Sequence, residues 1–395
     1  MSDRERADVV VIGGAIIGSA VATFLAARPD FDGRIVVVER DPTYRTSSTT
    51  LSAASIRLQF STPLNIEISR FGLEVIRHPE RYLAVGGEVP EVDFVENGYL
   101  FLATEAGLAT LEHNHAVQRS LDVPVALLTP AELRRRFDWI HADDLAGASL
   151  GLADEGWFDA YAWLQGFRRR ARSLGVTEVL GEVTGLELDG DRAAAVRLAD
   201  GSRIVTDWVV NAAGPRAAEV AAMAGIALPV RPRKRFVYHF EAPVSLGAAP
   251  LTIDPSGVYF RPEAPAYLTG YSPHGDDPDP DTLDLVVDRS RFDDHVWPVL
   301  AHRVPAFDRL RLLDAWAGHY EVNTLDHNAI VGPNPRVRNL LFANGFSGHG
   351  LQQAPAVGRG LAEWIATGRY ETLDLAPLGY ERIERGEPIV ELNVV

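Results

Sequence analysis

Two glycine-rich turns, one near each end of the chain, hold the residues whose types and spacing could do chemistry. The first, Gly13-Gly14-Ala15-Ile16-Ile17-Gly18, follows the apolar run Val9-Val10-Val11-Ile12. This order predicts a buried strand that turns sharply into a helix. The free backbone N–H groups at the start of such a helix can bind a pyrophosphate. The first turn therefore predicts a dinucleotide site.

An acidic residue indicates which dinucleotide is favoured. A second predicted strand, Ile35-Val36-Val37-Val38, ends in Glu39 and is followed by Arg40. A carboxylate at this point accepts a hydrogen bond from a ribose 2′-hydroxyl and repels a 2′-phosphate, which favours FAD or NAD over NADP. One residue departs from the usual G-x-G-x-x-G pattern: Ala15 places a methyl group where the backbone should approach the phosphates.

The second turn, Gly345-Phe346-Ser347-Gly348-His349-Gly350, lies between a predicted strand at 339–344 and a predicted helix at 356–367. Its free N–H groups and the positive end of the helix dipole can stabilise negative charge on a reduced flavin ring. A glycine-rich helix start without a ligand is the alternative. Beside the first turn, the second favours flavin. His349 can change charge near neutral pH, and we expect it to contact flavin or substrate, or to make a structural hydrogen bond.

The elements that position these turns predict an α/β protein of two domains, as the length also leads us to expect. A buried strand at 208–211 runs into Ala212-Ala213-Gly214 and indicates a further strand end at the ligand. We expect a discontinuous Rossmann-like dinucleotide domain and an antiparallel-sheet substrate domain. Their expected ranges are 1–84, 146–228 and 314–395 for the first domain, and 85–145 and 229–313 for the second.

Composition excludes several classes of protein. The 395 residues are 46% apolar and carry a net charge of −16, which argues against a nucleic-acid partner and against an anionic membrane surface. The absence of cysteine excludes disulfides, thiolate catalysis and a cysteinyl link to a cofactor. A charged amino terminus and the lack of a long apolar run predict a cytoplasmic protein without an integral membrane segment.

Three other patterns have structural interpretations. His113-x-His115 has a metal-like spacing, but the two side chains point apart on a helix, so we expect no metal site. The basic run 231–235 predicts an edge strand with one exposed face, and the arginine triplets 134–136 and 168–170 predict solvated helix faces. The stretch 275–281 is rich in Asp and Pro and predicts a solvated loop.

The chain resembles the D-amino-acid oxidase superfamily of flavoproteins, in the branch that holds sarcosine oxidase, glycine oxidase and dimethylglycine dehydrogenase. The resemblance covers nearly the whole chain. Its carriers are VVVIGGAIIG at 9–18, WVVNAAGP at 208–215 and FANGFSGHGLQQAPAVGRGLAEWI at 342–365. Four further segments are similar to FAD-dependent-oxidoreductase-domain proteins related to a mitochondrial factor for respiratory complex I assembly: SIRLQFSTPLNIEIS, RPRKRFVY, WAGHYEVNTLDHNAIVGP and GEPIVELNVV.

The resemblance implies an FAD-dependent oxidation of the C–N bond of a small secondary or N-methylated amine or amino acid. Hydride passes from a carbon next to an uncharged amine to flavin N5, and the resulting imine hydrolyses. The residues expected to bind the cofactor are Gly13, Gly14, Ala15, Ile16, Ile17, Gly18, Glu39, Arg40, Ser48, Thr49, Ser52, Ala53, Ala54, Val183, Ala213, Gly214, Gly345, Phe346, Ser347, Gly348, His349, Gly350, Leu351 and Gln352.

The substrate side is also implied by the resemblance. Arg57 matches the arginine that grips the substrate carboxylate in sarcosine oxidases, a job that suits a bidentate fork, although a structural arginine is the alternative. Gln352 stands where those oxidases have a second, lysine partner, so we expect a weaker grip or a different substrate. Tyr259, Tyr271 and His319 lie on strands expected to face the flavin, with core packing as the alternative. No residue stands out as a general base, and hydride transfer from a neutral amine needs none.

Two departures from the family concern the flavin itself. The histidine-containing attachment stretch of dimethylglycine dehydrogenase is replaced by Leu51-Ser52-Ala53-Ala54, so we expect noncovalent FAD, with a link to His319 as the alternative. Leu268 stands where sarcosine oxidases carry a lysine that helps reduced flavin react with oxygen. We therefore expect a quinone or an electron-transfer protein as acceptor ahead of oxygen.

Three alternatives remain open at this point: a nonenzymatic flavoprotein that assists assembly of a respiratory complex, a D-amino-acid dehydrogenase, and an NAD-linked dehydrogenase. The sequence leaves the amine and the oligomeric state undetermined.

Overall fold

The computed structural model describes residues 5–273 and 279–392. Most of the predicted loop at 275–281 lies outside these ranges. Asp279, within the described part, is buried and pairs with Arg235 at 2.6 Å, so a solvated loop is wrong at that residue. No helix in the described ranges is long and apolar enough to cross a bilayer.

Strands and helices are spread along the described part of the chain. The strands are β1 (Glu5–Ile12), β2 (Ile35–Glu39), β3 (Ser55–Ile56), β4 (Tyr99–Ala103), β5 (Val125–Leu128), β6 (Gly147–Gly151), β7 (Gly156–Trp157), β8 (Thr177–Leu180), β9 (Val183–Asp189), β10 (Arg192–Leu198), β11 (Arg203–Asn211), β12 (Val230–Glu241), β13 (Leu251–Ile253), β14 (Val258–Glu263), β15 (Ala266–Tyr271), β16 (Arg311–Asn323), β17 (Ile330–Pro333) and β18 (Leu340–Asn344). The helices are α1 (Ile16–Ala26), α2 (Pro63–Arg77), α3 (Pro79–Tyr82), α4 (Glu105–Ser120), α5 (Pro130–Arg136), α6 (Ala160–Ser173), α7 (Ala217–Ala222), α8 (Trp297–Arg303), α9 (Gly350–Thr367) and α10 (Glu381–Arg385).

The first sheet confirms the predicted α/β class. Its main path runs β17-β18-β11-β1-β2-β8, and the pairs β18·β11, β11·β1, β1·β2 and β2·β8 are parallel. Helices α1 and α9 pack against one another on one face, where a Cβ on Gly358 would lie 2.9 Å from the Cβ of Ala20. Because glycine has no side chain, the two helix backbones approach closely at this point.

The register of the central strands brings both glycine turns to one edge. Ile12 lies beside Asn211, and Asn211 lies beside Phe342. The ends of β1, β11 and β18 are therefore level, since parallel strands share a direction. Ligands of such folds bind at the carboxyl ends of the strands.

The second sheet runs β16-β12-β15-β14-β13-β4-β6-β5 and is antiparallel apart from the β13·β4 pair. Side chains alternate between its two faces. Phe236, Tyr238 and Phe240 pack on the face that α8 covers. Arg235 and Val237, which alternate with them along β12, line a cleft on the other face.

The extent of the second sheet differs from the expected domain ranges. β6 begins at Gly147 and β16 runs to Asn323, so the sheet reaches into ranges that we assigned to the dinucleotide domain. Pairing between strands that are distant in the sequence sets the extent of this sheet. β16 pairs with β12 from Arg311, opposite Glu241, to Asn323, opposite Val230. A local pattern shows a strand but not its partner.

A capping box begins α5, because Thr129 and Glu132 each accept from the other's backbone N–H. The predicted solvated face at 168–170 is wrong for Arg168. This side chain is buried and makes a bidentate pair with Glu178, at 3.1 and 2.7 Å. The run 231–235 pairs with β16 as a strand, but Lys234 is buried on it, so that residue does not lie on an exposed face.

Candidate active site

A cleft of about 1260 Å³, including its open mouth, lies between the carboxyl edge of the first sheet and the free face of the second. A smaller chamber of about 570 Å³ shares Ser52, Ala53, Tyr259, Tyr320, Gly348 and Leu351 with it. The expected site residues that line one or both spaces are Gly13, Ala15, Ile16, Ile17, Glu39, Arg40, Ser48, Thr49, Ser52, Ala53, Arg57, Ala213, Gly214, Tyr259, His319, Phe346, Gly348, His349, Gly350, Leu351 and Gln352.

The first turn depends on glycine for close backbone packing. Gly13 has a φ of 98°, and a Cβ there would lie 2.3 Å from the carbonyl oxygen of Ala212. A Cβ on Gly18 would lie 1.9 Å from the carbonyl oxygen of Gly13. Ala15 is the N-cap residue of α1 and makes no side-chain cap, and the N–H of Ile16 donates to Thr49 Oγ1 at 3.3 Å.

Glu39 joins the first turn to the outer end of the cleft. Its Oε2 accepts from the N–H of Gly14 at 2.8 Å, and its Oε1 accepts from the N–H of Asp41 at 2.8 Å. The Arg168 guanidinium stacks over the ring of Tyr44, 4.2 Å from the ring centroid, and Tyr44 lines the cleft nearby. No sequence motif marks Tyr44.

The segment 51–54 forms a wall between cleft and chamber. Arg261, itself buried, donates to the carbonyl oxygen of Ala53 at 3.1 Å, and the indole of Trp316 donates to that of Leu51 at 3.0 Å. Ser52 Oγ accepts from the N–H of Ala54 at 2.9 Å. Ala54 does not itself line either space, but its φ of 52° shapes this wall.

The second turn is held by the end of β16. Ser347 Oγ accepts from the N–H of Asn323 at 3.0 Å, and the N–H of Ser347 donates to the carbonyl oxygen of Glu321 at 3.2 Å. A Cβ on Gly348 would lie 2.3 Å from the ring of Tyr320, so the turn and this ring are in contact. Gly345, Ser347, Gly14 and Gly18 shape the two turns without lining the cleft.

Glu321 is a cleft-lining acid that the sequence analysis did not single out. Backbone N–H groups of Gly345 and Phe346 bond to its carboxyl group, yet burial outweighs them and raises its pKa to about 8. No hydrogen-bond partner among the described residues reaches Glu321 Oε2 or Ser48 Oγ, and both atoms are buried. A polar ligand in the cleft can satisfy such atoms.

Arg57 lies at the inner end of the chamber and is buried. Its Nη2 is 3.1 Å from His349 Nε2, and its guanidinium lies over the rings of Phe60 and Phe101, 4.7 and 5.3 Å from their centroids. Burial, reinforced by Arg57, holds the pKa of His349 well below its ordinary value, so the imidazole is neutral and accepts from Arg57.

Gln352 holds the backbone of Arg57. Its Oε1 accepts from the N–H of Arg57 at 2.7 Å. This bond holds the backbone of the residue that carries the guanidinium. Tyr99 and Tyr259 complete the chamber, and burial raises the pKa of Tyr99 to about 12 and that of Tyr259 further. Both phenols are therefore neutral hydrogen-bonding groups.

Arg235 is a further cleft-lining residue, which we had placed in a structural basic run. Its guanidinium stacks over Tyr320 at 4.2 Å and its Nε donates to Asp279 Oδ2 at 2.6 Å. Opposite charge beside a buried guanidinium lets it remain ionised at the cleft.

Strand alternation turns the side chain of Tyr271 away from the cleft. Tyr271 pairs with Val258 and packs on the α8 side, whereas Tyr259 pairs with Gly270 and faces the cleft. His319 touches the cleft, but its ring lies against the backbone of Thr282 and Asp284, and burial lowers its pKa.

Val183 begins β9 and lines neither space. It lies two residues beyond Gly181, whose N–H donates to the carbonyl oxygen of Glu39 at 2.9 Å.

One cluster outside the cleft has metal-ligand chemistry. His141, Asp144 and His302 place ligand atoms within 4.8 Å of one another, at the surface of the second sheet. Asp144 already binds Arg303 through both oxygens, at 2.9 Å each. The Arg303 guanidinium therefore occupies the two Asp144 oxygens that would bind a cation.

Comparison with known proteins decides the family. Residues 8–364 match the family described as DAO, FAD dependent oxidoreductase. The chain belongs to this family. It is 42% identical over 426 residues to FAD-dependent oxidoreductase domain-containing protein 1 of Xenopus laevis, covering 99% of this chain and 85% of that protein. The cofactor of the family is FAD. Of the two dinucleotides that the first turn left open, FAD is therefore the correct one.

More distant relatives carry names that describe a reaction. Sarcosine dehydrogenase of Mus musculus is 28% identical over 385 residues, covering 92% of this chain but 40% of that protein. Among solved structures, L-proline dehydrogenase from P. horikoshii is similar with a TM-score of 0.86 and 27% identity, covering 98% of this chain and all of that one.

The residues of the cleft fit FAD. Glu39 and the start of α1 suit an adenosine diphosphate moiety, and the second turn with Glu321 and Ser48 offers polar groups to the flavin moiety. Bound FAD supplies the two-electron acceptor.

Proposed function

We propose that this protein oxidises the C–N bond of a small secondary or N-methylated amine that carries a carboxylate. The observation that carries the proposal is the Arg57 guanidinium, buried at the end of the chamber beside a neutral His349. A guanidinium in such a place binds a carboxylate through two charge-assisted hydrogen bonds. The names of sarcosine dehydrogenase and L-proline dehydrogenase support this class of substrate.

The chain's own residues would orient the amine and exclude water. Arg57 holds the carboxylate. The Gln352 side chain binds the backbone N–H of Arg57 and so keeps the guanidinium in place. Tyr99, Tyr259 and the ring of Tyr320 enclose the alkyl part of the substrate. Because Tyr99, Tyr259 and His349 are neutral, they favour an uncharged amine over an ammonium, and only the former can release hydride from the adjacent carbon.

An anaerobic screen of the FAD-loaded protein tests the proposal. Sarcosine, dimethylglycine, iminodiacetate, proline and D-amino acids are added in turn while flavin absorbance near ~450 nm is followed. We expect bleaching with at least one carboxylated amine, and a tenfold preference between amines corresponds to 1.4 kcal/mol. If dithionite bleaches the flavin but no amine does, the reading as a nonenzymatic assembly flavoprotein replaces this one. If only D-amino acids bleach the flavin, the protein is a D-amino-acid dehydrogenase instead.

For the electron acceptor we propose a quinone or an electron-transfer protein. Leu268 shares the cleft side of its strand with Gly270, and an aliphatic side chain there supplies no positive charge for oxygen reduction. Photoreduced protein mixed with air-saturated buffer should reoxidise slowly. Reoxidation at the rates of oxidases contradicts this part of the proposal.

A further inference from the structure

Arg57 is carried by a short connecting segment, residues 57–62, between β3 and α2. The side chains of Arg57, Leu58, Gln59 and Phe60 are all buried. A buried backbone N–H that lies outside helices and sheets needs another partner, because leaving it unsatisfied is costly. How this segment binds its N–H groups therefore decides how firmly Arg57 is placed.

Three side chains from distant parts of the chain bind these N–H groups. Gln352 accepts from Arg57, and Glu155 Oε1 accepts from Leu58 and Gln59, at 2.7 and 2.9 Å. The next N–H, that of Phe60, bonds to the carbonyl oxygen of Leu58 at 2.8 Å.

The last two N–H groups are bound by Glu391. Its Oε1 accepts from the N–H of Ser61 at 2.8 Å and its Oε2 from that of Thr62 at 3.1 Å. Its carboxylate also accepts from Ser61 Oγ at 2.8 Å and from Asn65 Nδ2 at 3.2 Å. Thr62 is the N-cap residue of α2 and makes no side-chain cap, and Glu391 places its negative charge at this helix N-terminus, where the helix dipole favours it.

The segment that carries Glu391 is itself anchored on both sides. Asn328 Nδ2 donates to the carbonyl oxygen of Ile389 at 2.7 Å, and the N–H of Ile389 donates to Asp326 Oδ2 at 2.8 Å. After Glu391, the N–H of Leu392 donates to Ser61 Oγ at 2.8 Å. Glu391 is thus held in place, with only 7% of its surface exposed.

Glu391 also acts on the charge of Arg57. Burial lowers the pKa of Arg57, and Tyr99, Glu391 and Glu155 oppose that effect. The same carboxylate that binds the segment therefore helps to keep the guanidinium ionised.

We propose that Glu391 is a positioning residue of the active site: the carboxy-terminal segment 387–392 fixes the loop that carries Arg57 and so sets the geometry of carboxylate binding. The effect of Glu391 on substrate binding rests on the proposed function. Its effect on the order of the loop 57–62 is independent of that function.

Hydrogen exchange of the FAD-loaded protein tests the loop without any substrate. In Glu391→Ala we expect amides 57–62 to exchange about tenfold faster or more, because two backbone bonds to a charged acceptor are lost. Amides of β1 should keep their protection. Glu387→Ala is the matched control, since Glu387 lies in the same segment with 61% of its side chain exposed. Unchanged exchange at 57–62, or an equal rise in β1, overturns the proposal.

Two milder variants keep the test open if Glu391→Ala does not fold. Glu391→Gln retains one acceptor oxygen, and Glu391→Asp retains the charge on a shorter stem, so both should raise exchange at 57–62 less than the alanine variant. With an amine that bleaches the flavin, Glu391→Gln should raise KM about tenfold and leave kcat within about threefold. Equal losses in kcat and kcat/KM contradict a role in carboxylate positioning. If no amine bleaches the wild type, the proposed function fails while the exchange result still decides the role of Glu391.

Discussion

Nη2 of Arg57 lies 3.1 Å from Nε2 of His349, and this imidazole is neutral because burial and the guanidinium both disfavour its protonation. A neutral His349 places no second positive charge beside the Arg57 guanidinium, and it orients one of the N–H groups of Arg57. The two residues come from segments at opposite ends of the chain. Their contact therefore reports correct assembly of the whole site.

Replacing Arg57 should weaken carboxylate binding. We expect Arg57→Met to raise the KM of a carboxylated amine by about a hundredfold, since two charge-assisted hydrogen bonds are lost, and Arg57→Lys to raise it less, because the charge remains without the fork. Steady-state kinetics and flavin content check this. Arg369→Met, at a side chain that is 77% exposed, is the control. An unchanged KM in Arg57→Met would show that Arg57 is purely structural.

Replacing Glu321 should change how stability depends on pH. The folded protein raises the pKa of this carboxyl from 4.5 to about 8, so folded Glu321 binds its proton more tightly than unfolded Glu321. The stability linked to Glu321 is fully present below pH 4.5 and is lost as pH rises through about 8. Thermal unfolding midpoints of FAD-loaded Glu321→Gln should therefore rise relative to wild type between pH 5 and 9. A difference that stays constant with pH contradicts the raised pKa, and Glu88→Gln, at an exposed site, serves as control.

Substituting Gly348 should cost far more than its backbone conformation alone predicts. Gly348 has a φ of 98°, and a Cβ there would meet the ring of Tyr320 at 2.3 Å. We expect Gly348→Ala to lower stability by about 3 kcal/mol and to weaken FAD binding. Gly190→Ala, with a φ of 58° and nothing within 4 Å of a Cβ, should cost about 1 kcal/mol. Adding Tyr320→Ala to Gly348→Ala should recover part of the loss, and no recovery in this double variant would show that the contact is not the cause.

Two neighbouring arginines should differ in their effect on stability. Arg168 is buried, bidentate with Glu178 and stacked over Tyr44, whereas Arg169 is half exposed and 3.7 Å from Glu88. We expect Arg168→Met to lower the free energy of unfolding by about 3 kcal/mol and Arg169→Met to change it by less than about 0.5 kcal/mol. Urea denaturation measures both, and similar losses for the pair contradict the structure.

The sequence predicted those parts of the site that depend on local backbone geometry. Gly13 and Gly18 are needed within one strand-turn-helix unit, and Glu39 follows at a fixed spacing, so all three are visible in a short stretch. The cofactor and the fold class follow from such units. This is why they could be predicted from one chain.

The sequence could not predict features that depend on which strand pairs with which. The opposite directions of Tyr259 and Tyr271 follow from the β14·β15 register, and the environment of His319 follows from β12·β16. Arg168 and Arg235 look like exposed charges until Glu178 and Asp279 are placed beside them. Glu155 lies in no motif, and Glu391 lies in a segment whose resemblance assigns it no role, since an anchoring carboxylate needs only to be in the right place.

The order of the central strands has a consequence for biosynthesis. β11 lies between β1, at the start of the chain, and β18, which begins at Leu340. The two turns of the coenzyme cradle can meet only after residues up to Gly350 have left the ribosome. Capture of the whole coenzyme therefore has to follow synthesis of both turns, because a nascent chain halted before Gly345 lacks the second one.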